Sequence, residues 1–483
     1  MGLRSERGPV LAAMMLTTAL VAVDSTIIAT AVPSIVADIG GFSEFPWLFS
    51  IYLLAQAVSV PVYGKLSDLF GRKPVILFGI GLFLLGSIMC GLAWNMTVLI
   101  AFRVVQGLGA GATTPTTITI VGDMYTVAER AKAQGYIASV WGLSSVIGPT
   151  LGGVFSEYLS WRWIFLVNIP LCLLAAGMII RSFGEVVERT RPRIDYRGAG
   201  LLTAGLTLVI LGVLEGGQTW AWLSPASIAV LGVGTLLLVA FGLAERGAAE
   251  PVLPLWVFRR RLLLASGLVS VGVGAILLGL SSYIPTYVQD ALGTGPLVAG
   301  FALATLTLGW PISASQSGRL YLRIGFRGCA TIGVCALLAG SALLLLLDRD
   351  SGVWQVAATC FVIGLGMGLT ASPTLIAAQS SVGWAQRGVV TGNNIFLRSL
   401  GSSLGVAIFG AIVNARLGPA ASAVSGGRVP AGALTDAVHR VFIGIVLLAA
   451  LMVVAVRALP RGSSTPATDP DPDPAGYATA ERG

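Results

Sequence analysis

The sequence predicts an all-α polytopic membrane protein in which six spans, an inserted pair and six further spans follow one another. Three observations lead there. Mean hydropathy is +0.85 and only 11% of the 483 residues are charged, where a soluble domain carries about 25%. Runs of about 20 apolar residues, the length that crosses a bilayer as a helix, recur along the whole chain. Two short motifs appear twice, in register.

The apolar runs centre near residues 20, 56, 84, 109, 145, 171, 207, 235, 276, 307, 337, 365, 403 and 449, which predicts fourteen spans. The formal charge is +8, and its placement decides what it means. With the N-terminus inside, only Arg162, Arg349, Arg416, Arg428 and Arg440 fall in outer segments, while Arg103 and Arg398 lie within spans. The remaining Lys and Arg are on inner segments, so the positive-inside rule puts both termini in the cytoplasm. Nucleic-acid binding is not needed to explain the charge. Trp47, Trp94, Trp220, Trp222, Tyr283, Tyr287 and Trp354 gather near the predicted outer boundary, as an interfacial belt does. Cys90, Cys172, Cys329, Cys335 and Cys360 lack metal-ligand spacing and read as buried free thiols; the single histidine, His439, leaves no His cluster for a metal. The first span runs into "AVPSIV" without a small-residue cleavage site and reads as retained.

"GKLSDLFGRK" (64–73) and "GRLYLRIGFR" (318–327) share the pattern G-x-L-x-x-x-x-G-x-[KR]. "GLGAGATTPT" (107–116) and "GLGMGLTASPT" (364–374) form a second pair at nearly the same offset. Both offsets equal eight spans, an even number, so the copies face the same way, as in a parallel repeat about the membrane normal. Six spans repeated after eight leaves two inserted. The expected organisation is a six-helix bundle over 1–182, a linker carrying two inserted helices over 183–261, a second bundle over 262–459 and a disordered cytoplasmic tail over 460–483.

Several motifs carry chemistry. Asp24 sits deep in the first span, where a charge costs at least ~2.5–3.5 kcal/mol. It is either a carboxylate satisfied by Ser25, Thr26 or a neighbouring helix, or a proton site, since desolvation favours a protonated carboxyl. Arg103 is an intramembrane cation in span four, with Gln106 one turn along on the same face. In the loop after span two, Gly64 and Gly71 permit a tight turn and close helix approach, and Asp68 can pair with Arg72 or Lys73 or sit at a helix N-terminus. Charged latch and simple inner loop are the two readings. In span five, Gly148–Pro149 is expected to interrupt the helix, and Gly152–Gly153 to let another backbone come close. No P-loop pattern occurs, so ATP is not the expected energy source. No Ser/His, Cys/His, zinc or paired-carboxylate constellation points to an enzyme, and no cofactor is implied.

Together these residues resemble the major facilitator superfamily, and in particular its fourteen-span drug:proton antiporters. "VDSTIIATAVPSI" looks like that group's first-helix signature, "GKLSDLFGRKP" the superfamily loop motif, "RVVQG" the span-four motif, "GPTLGG" the antiporter motif of span five and "WRWIFLVNIP" the segment after it. Three positions depart: Leu69 stands where the loop motif usually has a basic residue, Leu322 where the first copy has Asp68, and Ser144 where a glycine is usual. The resemblance implies a major facilitator fold, two six-helix bundles plus two extra helices, rocking about a central cavity. It implies a proton-coupled antiporter of the bacterial plasma membrane exporting amphipathic, cationic drugs as a monomer, with protons, lipids and the small-molecule substrate as its partners. Asp24 becomes the proton acceptor and Arg103 its electrostatic partner. Gly64, Asp68, Gly71, Arg72 and Lys73 become the gate, and Gly148, Pro149, Gly152 and Gly153 the bending interface. Gln106, Trp310, Gln379, Asn393, Asn394 and Arg398 are candidates for the cavity by helix position, with surface or packing roles as the equal alternative. An exporter of a lipid-like or secreted metabolite remains the alternative, and a non-transporting sensor the weakest.

Overall fold

The structure is a computed structural model, and it describes residues 7–40, 47–185, 195–216, 220–248, 251–423 and 431–460. The predicted tail and most of the first linker lie outside the described residues. Among those described the regular structure is helical: α1 (Gly8–Ile39), α2 (Trp47–Phe70), α3 (Arg72–Gly91), α4 (Met96–Met124), α5 (Val127–Tyr158), α6 (Trp163–Leu166), α7 (Asn168–Ser182), α8 (Tyr196–Glu215), α9 (Pro225–Glu245), α10 (Trp256–Arg259), α11 (Arg261–Thr286), α12 (Pro296–Leu343), α13 (Val353–Ser380), α14 (Arg387–Ala423) and α15 (Ala431–Arg457). With no water in a bilayer core to satisfy backbone groups, long helices are the form such apolar runs take.

Eleven helices among the described residues are long and apolar enough to cross a membrane. One runs for 49 residues, Val298–Leu346, and contains Gly325 at φ 77°, ψ 164°, where the helical path breaks. α5 and α14, parts of which lie outside the described residues, are not among the eleven.

The internal repeat is written in the packing. Gly71 (φ 92°) turns the chain between α2 and α3, and Gly325, seven residues after Gly318 as Gly71 is after Gly64, turns it inside α12. Both conformations lie in the left-handed half of φ space that favours glycine. In the second motif pair, Gly107 lies against the Tyr52 carbonyl of α2 and Gly364 against the Leu306 carbonyl of α12. Gly109 packs on Phe83 of α3 and Gly366 on Leu337 in the later part of α12. Gly111 meets Ser59 and Gly368 meets Ser313. A side chain at any of these would collide with a neighbouring helix, which is why glycine recurs there.

One hydrophobic cluster draws only on residues from Ala265 onward, and two draw only on residues up to Phe183. A fourth joins the two halves: Leu54, Val58 and Val60 of α2, Leu202, Leu206 and Ile210 of α8, and Val389, Val390 and Phe396 of α14. The inserted α8 therefore lies beside the line where α2 meets α14, with α9 packed behind it.

Three expectations change. α5 is continuous through Gly148–Pro149, because a proline inside a membrane helix gives up one backbone hydrogen bond that the surrounding structure can absorb. Cys335 is exposed while the other four cysteines are buried. Of the proposed aromatic belt, Trp94 and Trp354 are exposed, but Tyr287 is buried, edge-on to Phe442.

Candidate functional site

Asp24 lies in α1, sixteen residues beyond Gly8, and is 1% exposed. Its Oδ2 is 2.7 Å from Nη1 of Arg103 on α4. The other oxygen accepts from Gln106 Nε2 at 2.7 Å and from Asn168 Nδ2 of α7 at 3.2 Å. Arg103 Nη1 also donates to Gln106 Oε1 at 2.7 Å, and its Nε to the Leu48 carbonyl at 3.1 Å. Its guanidinium stacks 4.0 Å from the Tyr52 ring centroid. Ser87 Oγ accepts from Gln106 and Asn168 at 2.8 and 3.3 Å. A carboxylate and a guanidinium removed from water pay a large desolvation cost unless they pair and their remaining donors and acceptors are filled. Here four helices fill them. Glycine makes this possible: a Cβ on Gly86 would lie 2.5 Å from the Gln106 nitrogen.

The second charged site closes one end of the molecule. Asp68, near the end of α2, takes the first backbone N–H groups of α14: Gly388 N to Oδ1 and Val389 N to Oδ2, both at 2.8 Å. Arg72 Nη2 is 2.9 Å from the same carboxylate. Arg72 also pairs with Asp123 at 3.0 Å, donates to the Ser67 and Trp384 carbonyls at 2.7 Å each, and stacks on the Trp384 ring at 3.9 Å. Asp123 receives Arg387 at 3.1 Å on its other oxygen. Carboxylate, helix N-terminus and guanidinium thus span α2, α3, α4 and α14, joining the two halves. Gly64 permits it, since a Cβ there would lie 2.8 Å from the Gly388 carbonyl. Lys73 does not pair with Asp68. Its Nζ donates to the Ile180 and Phe183 carbonyls at 3.0 and 2.5 Å, at the C-terminal end of α7. Glu185 accepts the Arg72 and Lys73 backbone N–H groups at 2.8 Å each, capping α3, and burial pushes its carboxyl above the usual carboxylate range.

Gly148 is pressed against Thr26 of α1, whose Oγ1 donates to the Ser144 carbonyl at 2.9 Å. Gly152 is buried. A Cβ on Gly153 would meet nothing within 4 Å, so the α1–α5 approach rests on Gly148 rather than on the Gly152–Gly153 pair. The side chain of Pro149 lies outside the described residues. In the second half, Asn394 donates to Ser266 at 2.8 Å and accepts from Ser270. Gln379 donates to Thr391 at 2.9 Å. Asn393 is buried with its Oδ1 unpartnered, and Trp310 is half-buried against the second half's core. Arg398 is half-buried.

The sequence model of the Major Facilitator Superfamily matches residues 14–406. The chain belongs to that superfamily. It is 36% identical over 391 residues to Multidrug resistance protein 3 of Bacillus subtilis (strain 168), covering 81% of this chain and 76% of that one. It is 34% identical over 421 residues to the Multidrug transporter protein MdtP of the same organism, covering 86% and 77%. The Efflux pump dotC of Dothistroma septosporum (strain NZE10 / CBS 128990) is 31% identical over 451 residues, covering 89% and 77%. Among solved structures, the human organic anion transporter MFSD10 (TETRAN) superposes with a TM-score of 0.65, covering 94% of this chain and 99% of that one at 16% identity; this shows the fold. The protein is a multi-pass membrane protein of a transporter superfamily.

Within this major facilitator chain, the charged residues of both sites were visible as charges in apolar or loop-motif context. Ser87, Asn168, Tyr52 and Trp384 were not, because neutral polar and aromatic side chains are ordinary in membrane helices. Asp123 could have been found: with Asp24 and Asp68 it is one of few acids placed within the first four helices.

Proposed function

We propose that the protein is a proton-coupled antiporter that exports amphipathic compounds from a bacterial cytoplasm by alternating access. The observation that carries this reading is the enclosed Asp24–Arg103–Gln106 cluster. A transporter without a nucleotide site needs a group whose charge follows the proton gradient, and Asp24 is a carboxylate held deep between helices with a cation 2.7 Å away. Protonation removes half of that ion pair. Arg103 then keeps only neutral partners, and the balance between conformations shifts by the lost attraction. In this reading fourteen helical segments cross the plasma membrane, both chain ends are cytoplasmic, and the Asp68–Arg72–α14 latch is the closed cytoplasmic gate. The family comparisons support drug export; proton coupling rests on the cluster.

The test is ethidium transport in inside-out vesicles with and without an imposed proton gradient, wild type against Asp24→Asn. Gradient-driven uptake is expected in wild type and should fall to the level of protein-free vesicles in the variant. Uptake undiminished by the substitution would remove Asp24 from the mechanism.

A further inference from the structure

The first half neutralises its intramembrane charges and the second half does not. Arg103 has Asp24. Arg398, eleven residues into α14 and so about 16 Å from the latch, has neither a carboxylate nor any hydrogen-bond partner among the described residues. The acids from residue 262 to 460 are Asp290, Asp348, Asp350 and Asp436. Asp348 and Asp350 lie in the loop before α13, Asp436 lies in the first turns of α15, and Asp290 lies beyond the end of α11. None is at the depth of Arg398.

The direction of its side chain follows from α14's neighbours. Gly388 and Gly392 face α2 at Gly64. Asn394, Gly401 and Gly405 face α11 at Ser270, Val271 and Ala275. Positions 391 and 398, two turns apart, share the face between those sides. Thr391 on that face bonds Gln379, whose amide lies against Gly122 of α4, in the other half. Arg398 therefore sits on the face of α14 between its contacts with α2 and α11, above the Asp68 latch, with its own carbonyl packed on Gly274 of α11. Arg398 is half-buried, so its guanidinium has room beside it for a ligand group. On the neighbouring α2 and α4, Gln56 and Thr114 are joined at 3.3 Å, both neutral.

We propose that Arg398 is an anion subsite of the transport cavity, binding the carboxylate, sulfonate or phosphate group of an amphipathic substrate whose apolar body lies against the surrounding helices. This rests on the export reading and narrows it. The cationic substrates expected from the family resemblance would meet an unpaired cation in the cavity, whereas an anionic headgroup supplies the partner Arg398 lacks, in the bidentate geometry a guanidinium offers.

The experiment uses two fluorescent probes that differ by one sulfonate, 1-anilinonaphthalene-8-sulfonate and N-phenyl-1-naphthylamine. Their binding is titrated on the full chain in phosphatidylcholine nanodiscs, with empty discs subtracted. Arg398→Gln is expected to weaken the sulfonate probe about tenfold or more while leaving the neutral probe within about twofold; Arg398→Lys should retain most of the affinity. Unchanged sulfonate binding in Arg398→Gln, or an equal fall for both probes, overturns the proposal. Discs containing phosphatidylglycerol separate two sources of the same chemistry: a sulfonate affinity lost there, only in protein with Arg398, assigns the subsite to a lipid headgroup. Ethidium transport by the wild type is measured alongside. Gradient-driven transport without an Arg398-dependent sulfonate preference sinks the subsite and leaves the export reading standing. The preference without gradient-driven transport of either ethidium or the sulfonate probe does the reverse.

Discussion

The two copies of the loop motif close the two seams between the halves by different means. At the first seam, Asp68 of α2 caps the N-terminus of α14 and binds Arg72, so the contact is a charge on a helix end belonging to the other half. At the second, α12 runs against α5, and Leu322 stands where Asp68 stands in the first copy; it is 55% exposed. Phe326 replaces Arg72 and stacks on Tyr321 at 4.6 Å, whose hydroxyl donates to the Val127 carbonyl of α5. The N-terminus of α5 is served by its own Glu129, whose Oε2 accepts from Thr126 N at 3.3 Å and from Thr126 Oγ1 at 3.0 Å. A helix end capped from its own residues keeps its cap when the seam opens. One capped from across the seam loses it, and both partners must find water. Only the first seam is therefore bridged by a charge reaching from one half to a helix end of the other; the second rests on packing and a neutral hydrogen bond.

The largest effect should come from Asp68→Asn. The amide keeps the shape but leaves Arg72 facing Asp123 alone and strips the negative charge from α14's first turn. Removing one partner of a buried pair costs about 3–5 kcal/mol, enough to shift the resting population toward an open first seam. In a Cys335→Ser background, a Thr391→Cys reporter should react with a membrane-permeant maleimide at least about tenfold faster once Asp68 is changed. An unchanged rate would mean the seam is held by packing and not by this carboxylate.

Shape complementarity separates the seams next. Gly64 faces backbone, with the Gly388 carbonyl 2.8 Å and the Gly392 Cα 3.3 Å from a would-be Cβ. Gly318 faces a methyl, the Ala131 Cβ at 2.8 Å. Overpacking of this kind costs about 1–3 kcal/mol, so Gly64→Ala and Gly318→Ala should each lower thermal stability. Their rescue differs. Adding Ala131→Gly should restore most of the loss in Gly318→Ala, while Gly64→Ala has no partner side chain left to trim. A rescue that fails at the second seam would show that its tightness lies in the Ala128 carbonyl, 3.3 Å from the same point.

How much of this was legible in the sequence follows from the kind of signal each residue carries. Hydropathy and the paired motifs gave the helical membrane fold and the duplicated plan, because bilayer thickness and close helix approach constrain composition directly. Asp24, Arg103, Asp68 and Arg72 stood out because charge is rare in such segments. The partners that complete the sites did not: Asn168 is 144 residues from Asp24, and Gly388 is 320 from Asp68. That Lys73 serves the end of α7, and Glu185 the start of α3, depends on how the helix ends meet, which no local pattern records. The helical wheel placed Arg398 at the cavity, but its lack of a partner is a property of the assembled helices.

The smallest expected effect is the most diagnostic. Leu322→Asp restores to the second copy the carboxylate of the first. If charge in the motif were sufficient to make a latch, it should slow reporter labelling at the second seam and alter transport. α5, however, does not present an uncapped end: Glu129 already occupies Thr126 and lies 3.8 Å from Arg7. A carboxylate at the 55% exposed position 322 meets open solvent, where a surface substitution changes stability by no more than about 0.5 kcal/mol. The expected outcome is wild-type ethidium transport and an unchanged melting temperature. A gain in seam protection would instead mean that the helix end is short of charge despite its own cap, and that the asymmetry between the seams lies in the motif rather than in what it faces.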